Sequence, residues 1–273
     1  MRCARSAKTP APDTMPEVLE VEAARAALEA HALDRKISAV HAPDAWFLKR
    51  GTTAEALDDA LVGNRFVAAR RRGKSMVLDT AEGPRIGVHL GMSGRVLIDA
   101  VEAGDPLVYA SNQRIEAWHR FGTLFSDGGA FYLRDPRRLG AVELDPDESR
   151  LGPDALTLSF KALDHALAQR TAPVKAVLMD QARVAGLGNL LTDEALWRAG
   201  VDPTRPPRDI DHETRKQLHK AIRNTVKTLG RRGGSHTGDM PRGREAICPR
   251  DGAELKRDTV GGRTTYWCPV HQH

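Results

Sequence analysis

Three groups of residues in this chain have the types and spacing to do chemistry. The first is Met15-Pro16-Glu17-Val18-Leu19-Glu20-Val21-Glu22, which reads like the start of a protein although fourteen residues precede it. A proline inside a peptide bond has no nucleophilic nitrogen. As a free N-terminus it is a secondary amine that can attack an electrophilic carbon and form an iminium. A terminal amine has an ordinary pKa near 8 against about 10.4 for lysine, so at neutral pH it is roughly a hundredfold richer in the neutral form. This chemistry requires translation from Met15 and removal of that methionine. The same residues also read as a plain helix start, with proline first and acids in the first turn.

The second group is Lys74, which follows Arg70-Arg71-Arg72-Gly73 at the start of a strand-like run. It is either a working cation or a solvated edge lysine. The third is Cys248, Asp251, Cys268 and His271, two x-x-spaced pairs sixteen residues apart with the turn signal Gly261-Gly262 between them. Paired ligands on two knuckles at the base of a hairpin fit a structural tetrahedral zinc site, although a carboxylate is an unusual ligand there. The alternative is a metal-free hairpin held by packing of Tyr266 and Trp267.

These residues need a frame. The 273 residues suffice for one or two domains with a buried core, and 41% hydrophobic with 28% charged residues describes a soluble globular chain. Nowhere do eighteen apolar residues run together, so no membrane span is expected. Residues 1–14 have no apolar stretch, make a poor secretory signal, and read as a disordered tail or a misassigned start. Only three cysteines occur, two of them in the terminal segment, which favours a reducing, cytoplasmic setting over a disulfide framework. The net charge of +5 is unevenly spread: residues 201–273 hold fifteen Lys/Arg against nine Asp/Glu. A basic C-terminal region on a near-neutral body points to a polyanion, with nucleic acid favoured over ordinary solvated surface.

Apolar spacing at Val18, Val21, Ala24, Leu28 and Ala32 predicts a helix over 18–33. From 37 to 144 the pattern changes to short alternating runs: 37–42, 65–70, 75–79, 86–90, 95–98, 114–118, 122–126, 130–134 and 139–144. Glycine turns punctuate them, which predicts an antiparallel sandwich or barrel. Helical patterns follow at 159–169, 174–181, 189–199 and 211–230, the last expected to end at Gly230. The expected class is therefore multidomain α+β: a β-sandwich with one leading helix (15–145), a helical domain (153–234) and a small hairpin (247–273).

Six segments then resemble one family in its own order. They are Pro16–Glu22, Arg72-Gly73-Lys74, His89–Gly94, Asp135–Gly140, Val184–Asn189 with the helix behind it, and Val260–Cys268. The chain over 15–273 is similar to formamidopyrimidine-DNA glycosylase and endonuclease VIII, the helix-two-turn-helix repair glycosylases. The resemblance implies a bifunctional glycosylase and abasic-site lyase acting as a monomer on damaged duplex DNA near the nucleoid, by a Pro16 Schiff base and β,δ-elimination. It further implies Glu17 as the acid/base residue, Lys74 on a phosphate and assisting elimination, Glu20 positioning the lesion, and Arg263 gripping a flanking phosphate and supporting the second elimination. DNA contacts carried over are His89, Arg120, Lys175 and Asn189, with Met92, Arg137 and Leu139 filling the gap left by a flipped base. Met92 and His89 read locally as core residues too, and the 186–189 backbone as a phosphate cradle.

Four positions depart from the family pattern: Leu19 stands for a proline, Arg120 for the DNA-contacting histidine of many relatives, Leu139 for the phenylalanine of the purine-specific branch, and Leu191 for a tyrosine. Only fifteen residues separate Gly233 from Cys248, where the purine-specific branch inserts a long loop over 8-oxoguanine. Oxidised pyrimidines and abasic sites are therefore the expected substrates. Two rivals remain, a damage-binding paralogue without chemistry and, for the last 26 residues only, an unrelated zinc-ribbon factor.

Overall fold

The first helix, α1 (Val18–His31), is fixed by its own opening residues. Glu17 caps it in extended conformation, and the Glu20 carboxylate accepts the Glu17 N–H at 2.8 Å. That reciprocal arrangement satisfies a donor the first turn cannot. Arg25 adds ion pairs to Glu22 and Glu29, both at 2.8 Å. The computed structural model describes residues 16–103, 113 and 115–273, so the expectations for Met15 and the first fourteen residues lie outside it.

Two antiparallel sheets follow. One has the order β1 (Ile37–His41), β7 (His119–Phe125), β8 (Ala130–Arg134), β5 (Arg95–Ile98), β6 (Val101–Ala103). The other is β2 (Phe66–Arg72), β3 (Ser75–Thr80), β4 (Ile86–His89), β9 (Ala141–Leu144). Their inner faces and α1 share one core in which Val21, Ala24 and Leu28 meet Phe66, Leu78, Phe121 and Phe131. Phe131 makes edge-to-face contacts with Phe66 and Phe121 at 6.4 and 6.1 Å.

The run expected as a strand at 114–118 is different: Glu116–Trp118 is a single 3-10 turn, and the strand begins at His119. Trp118 lies in that turn because its N–H donates to the Ile115 carbonyl at 3.0 Å; its carbonyl still accepts the Asp135 N–H at 2.8 Å, one step beyond the His119–Arg134 pair, and its ring lies beneath the Arg134 guanidinium. Two further elements carry no clear sequence signal, β6 and α2 (Ala54–Leu61), the latter capped by Thr53 accepting from the Ala56 N–H.

The second half is α3 (Phe160–Leu167), α4 (Val174–Met179), α5 (Asn189–Ala199) and α6 (His212–Arg232). Helix α6 runs past Gly230 to a left-handed cap at Gly233, φ +105°. Gly230 is interior because it faces Leu19, whose Cδ2 would lie 3.3 Å from an added Cβ. This core contains Val18, only three residues before Val21 of the sheet core. The terminal hairpin, β10 (Lys256–Val260) and β11 (Arg263–Trp267), has a small core of its own with Trp197, Met240, Cys248, Leu255 and Cys268. The expected α+β layout is thus found.

Side-chain ties join the halves. Arg71 reaches Glu22 at 2.7 Å and Asp154 at 3.0 Å, and Asp154 also accepts the Gly73 N–H at 2.7 Å. Arg71 is buried, so its charge needs both acids. The β2–β3 turn that carries Lys74 is therefore held to the helical domain. No helix among the described residues is long and apolar enough to cross a membrane.

Candidate active site

Pro16 and Glu17 are both buried, at the seam of the two halves. The Glu17 carboxylate accepts the backbone N–H groups of Gly188 and Leu190 at 2.7 Å and of Leu191 at 3.2 Å. Close approach requires glycine at 188, since a Cβ there would lie 2.4 Å from the Glu17 carboxyl carbon. Loop 186–189 is also tied to α1 by the Val18 N–H, which donates to the Gly186 carbonyl at 3.0 Å. This corrects one expectation: the N–H groups at the start of α5 do not stand open as a phosphate cradle but receive Glu17.

Burial pushes the Glu17 carboxyl up to about 7. Lys74 and the N–H donors from Leu190 and Gly188 pull it down, and the nearby Glu20 carboxylate adds to the rise. Burial wins over the donors, leaving a carboxyl that can hold or release a proton near neutrality. Lys74 is 7% exposed and its ammonium is pushed down by burial. Glu17 and Glu20 oppose that shift and Arg263 reinforces it, so all four groups share one electrostatic neighbourhood. Glu20 in turn accepts the Ser235 N–H and hydroxyl at 2.7 and 2.8 Å, which fastens the segment after α6 to the site. Arg263 arrives at the hairpin turn, where Gly261 (φ +59°) packs so that an added Cβ would be 2.9 Å from Ala176 Cβ.

The three residues expected to enter a DNA stack come together on two adjoining loops. Gly91 lies against the Leu139 backbone so closely that a Cβ would meet its carbonyl carbon at 2.3 Å. Met92 is half-buried, while Arg137 and Leu139 are exposed. Buried Asp135 builds this edge: it accepts the N–H groups of Arg137, Leu139 and Gly140 at 3.0, 2.8 and 2.7 Å, and the Ser93 hydroxyl. His89 shapes the other loop, its Nδ1 accepting the Gly91 N–H at 2.9 Å. Burial, then Lys74, keeps that imidazole below its ordinary pKa and so neutral.

Two expected DNA contacts are placed elsewhere. Lys175 is fully buried, paired with Asp193 at 2.7 Å and donating to the Thr265 hydroxyl at 2.7 Å and the Thr264 carbonyl at 3.2 Å. In this arrangement the ammonium joins the hairpin to α5. Arg120 donates to the Asp135 carbonyl at 2.8 Å and lies 3.5 Å from Asp44, bracing the exposed loop from below. Asn189 is largely buried and its amide donates to the Thr264 carbonyl at 3.0 Å. Several positioning residues were missed at the sequence level: Asp44, which grips Arg138 at 2.6 Å, Asp154, Asp193 and Ser235. Asp135 and Asp193 stood inside recognised segments without being singled out; the others are isolated polar residues without a spacing signal.

In the hairpin, Cys248, Asp251, Cys268 and His271 place one ligand atom each within 4.8 Å of one another. His271 Nδ1 is 2.6 Å from Asp251, and its Nε2 is 3.2 Å from the Trp197 carbonyl, which orients the ring. The Trp197 indole N–H points at Cys248 Sγ, 3.4 Å away. Donors this close suit a tetrahedral ion, whose ligands at about 2.0–2.3 Å stand a little over 3 Å apart.

Comparison with known proteins settles what this assembly is. The family model for the formamidopyrimidine-DNA glycosylase N-terminal domain matches residues 15–142, and that for its H2TH domain matches 151–239. The chain belongs to this glycosylase family. Curated relatives include the formamidopyrimidine-DNA glycosylases of Paracoccus denitrificans, 34% identical, and Laribacter hongkongensis, 33% identical. Each alignment covers 94% of this chain and 100% of the relative. Among solved structures, a Lactococcus lactis Fpg complex with an N7-benzyl-Fapy-dG containing DNA aligns with a TM-score of 0.81 at 26% identity, covering 94% of this chain and 100% of that one. Another complex of that protein, with an oxidised pyrimidine containing DNA, gives 0.80 at 27% identity with the same coverage. The family's enzymes are DNA glycosylases with abasic-site lyase activity, and this chain is one of them. Its hairpin lies beyond both matched domain models and is covered through the full-length relatives.

The raised Glu17 carboxyl has a measurable consequence. A carboxyl lifted in the folded state contributes stability that is fully present below its unfolded value and is lost as pH rises through about 7. Relative to Glu17→Gln, which does not titrate, the parent should lose stability between pH 5 and 8, by on the order of 3 kcal/mol. Denaturant unfolding of both proteins at the two pH values measures this; an unchanged difference refutes the assignment.

Proposed function

We propose that this glycosylase uses Pro16, as a free N-terminal amine, to excise an oxidised base from duplex DNA and then cut the strand. The observation that carries the reading is the buried Glu17 carboxyl next to Pro16, titrating near neutrality beside Lys74. The Pro16 nitrogen attacks C1′ as the glycosidic bond breaks; the base leaves with its electron pair and takes up the proton that the nitrogen gives up. Glu17 gives its proton to the sugar ring oxygen, and the freed nitrogen lone pair opens the ring to an iminium. Loss of a C2′ proton then expels the 3′ phosphate, and a second elimination expels the 5′ phosphate. Lys74, whose buried ammonium has a depressed pKa, holds the phosphate and assists the eliminations, with Arg263 supporting the second. The match of the N-terminal family model from residue 15 supports Met15 as the working start.

Met92, Arg137 and Leu139 act in this reading as the wedge for the flipped nucleotide's place. Asn189 contributes to backbone binding from the seam, while Lys175 and Arg120 support the DNA face from beneath it.

For the lesion, we read a preference for oxidised pyrimidines and abasic sites over 8-oxoguanine. The short segment between Gly233 and Cys248 supports this. Ser235 is tied to Glu20, and the Asp239 and Met240 N–H groups donate to Glu194 at 3.1 and 3.0 Å, so the segment lies down on α5 rather than forming a cover. A cavity of about 240 Å³ opens there, lined by Leu190, Ser235, His236, Met240 and Arg242.

We assign the four hairpin ligands to a structural zinc. Bound zinc would fix the base of the hairpin; it takes no part in the reaction.

Borohydride trapping tests the mechanism. Protein beginning at Pro16 should form a covalent adduct with abasic-site DNA, and Pro16→Gly or retention of residues 1–15 should abolish it. A Pro16-initiated protein that binds DNA without an adduct is a damage-binding paralogue. On duplexes carrying thymine glycol, dihydrouracil, 8-oxoguanine or an abasic site, cleavage should be slowest at 8-oxoguanine; fastest cleavage there reverses the specificity reading. Elemental analysis of folded protein should find one zinc per chain, and chelation should lower its Tm. Folded protein without zinc refutes the metal assignment.

A further inference from the structure

Helix α6 carries a row of cations that the active site does not use. Lys220, Arg223, Lys227 and Arg231 are all exposed and lie three or four residues apart, on one side of the helix. With Leu19 and Leu156 they line an open groove of about 850 Å³ in which no acidic residue takes part. Among the described residues none of the four is in an ion pair. Their neighbours on the same helix, by contrast, are neutralised: Arg215 by Asp164, Lys216 by Glu213 and Arg232 by Asp239. Cations so close repel one another at low salt, and the groove gives them no internal counterion.

We propose that this groove is a second contact for duplex DNA, binding the phosphate backbone outside the stretch held at the lesion. The proposal rests on the DNA-repair reading above. The geometry favours a regularly charged polymer over a single anion: one cation per helical turn, over about 16 Å from Lys220 to Arg231, matches about five base-pair steps of a strand. The groove is also continuous with the site. Leu19 lies in the first turn of α1, between Glu17 and Glu20, and packs against Gly230 beside Arg231. Two residues past Arg231, the chain turns at Gly233-Gly234, where an added Cβ on Gly234 would lie 2.8 Å from Glu20 Oε1. The aliphatic floor of Leu19 and Leu156 suits sugar edges, and the open shape suits a rod rather than an enclosed small molecule.

The test uses the complete protein and two lesion-bearing duplexes, one just covering the lesion footprint and one extended by two helical turns on each side. Four substitutions, Lys220→Gln, Arg223→Gln, Lys227→Gln and Arg231→Gln, are combined in one variant. The parent should bind the longer duplex more tightly and with a steeper salt dependence. The variant should lose at least tenfold in affinity for the longer duplex, with the slope of log K against log salt shallower by about 0.9 for each lost phosphate contact. Its affinity for the short duplex and its single-turnover cleavage of it should stay at the parent level. That cleavage reads the catalytic assignment separately, so failure of one reading is distinguishable from failure of the other. Lys220→Arg with Lys227→Arg should keep the long-duplex affinity. Equal losses on both duplexes, or none on either, overturn the proposal. So does displacement of polyglutamate without any change in DNA binding, which assigns the groove to an acidic protein instead.

Discussion

The interaction on which the structure turns is the burial of one carboxyl group under three backbone N–H donors. Glu17 belongs to the first turn of α1, and its donors belong to the loop and first turn of α5, some 170 residues later in the chain. A carboxylate sealed from water needs such donors, and the N-terminus of a helix offers them unpaired. The consequence is mutual. Helix α5 is capped by a residue of the other domain, and Glu17 is held beside Pro16 at a pKa that the donors alone would depress. Gly188 is the steric condition for this contact, because any side chain would occupy the space of the Glu17 carboxyl.

Around that contact lie further buried or half-buried charges. Lys74 and Glu20 share its electrostatic neighbourhood; Arg71 and Asp154 hold the Lys74 turn from behind; Lys175 and Asp193 hold the hairpin against α5. Each buried cation has an acid, as charges removed from water require. The exposed loop of Arg137 and Leu139 follows the same logic at smaller scale, with Asp135 accepting three N–H groups that would otherwise have no partner. Rigid support beneath an exposed tip would suit the wedge role proposed for these residues.

Much of this was legible in the sequence, for physical reasons that differ by region. Helical period marked α1, α5 and α6, a glycine signal marked the end of α6 to within three residues, and period-two alternation marked most strands. The strand expected at 114–118 failed because the Trp118 N–H turns back to the Ile115 carbonyl, closing a 3-10 turn that alternation of residue types does not reveal. The family resemblance, more than residue type, pointed to Pro16, Glu17 and Lys74, while paired spacing marked the four hairpin residues that the fold gathers. Residue type gave no sign that Lys175 and the N–H groups at the start of α5 have internal partners, because a lysine or an N–H in such a segment looks the same whether it faces outward or is already paired with Asp193 or Glu17. Asp44, Asp154 and Ser235 were silent: single polar residues acquire meaning only when the fold supplies a partner.

Helix α1 contributes Val18 to the helical core and Val21 to the sheet core, a rise of only about 4.5 Å along its axis. Any rotation of one half of the molecule against the other must therefore be absorbed within a single turn, the one immediately following Pro16. On the proposed reading of Pro16 as the nucleophile, opening the seam would also misalign that residue, so docking of the two halves and readiness for reaction would be coupled in one helical turn.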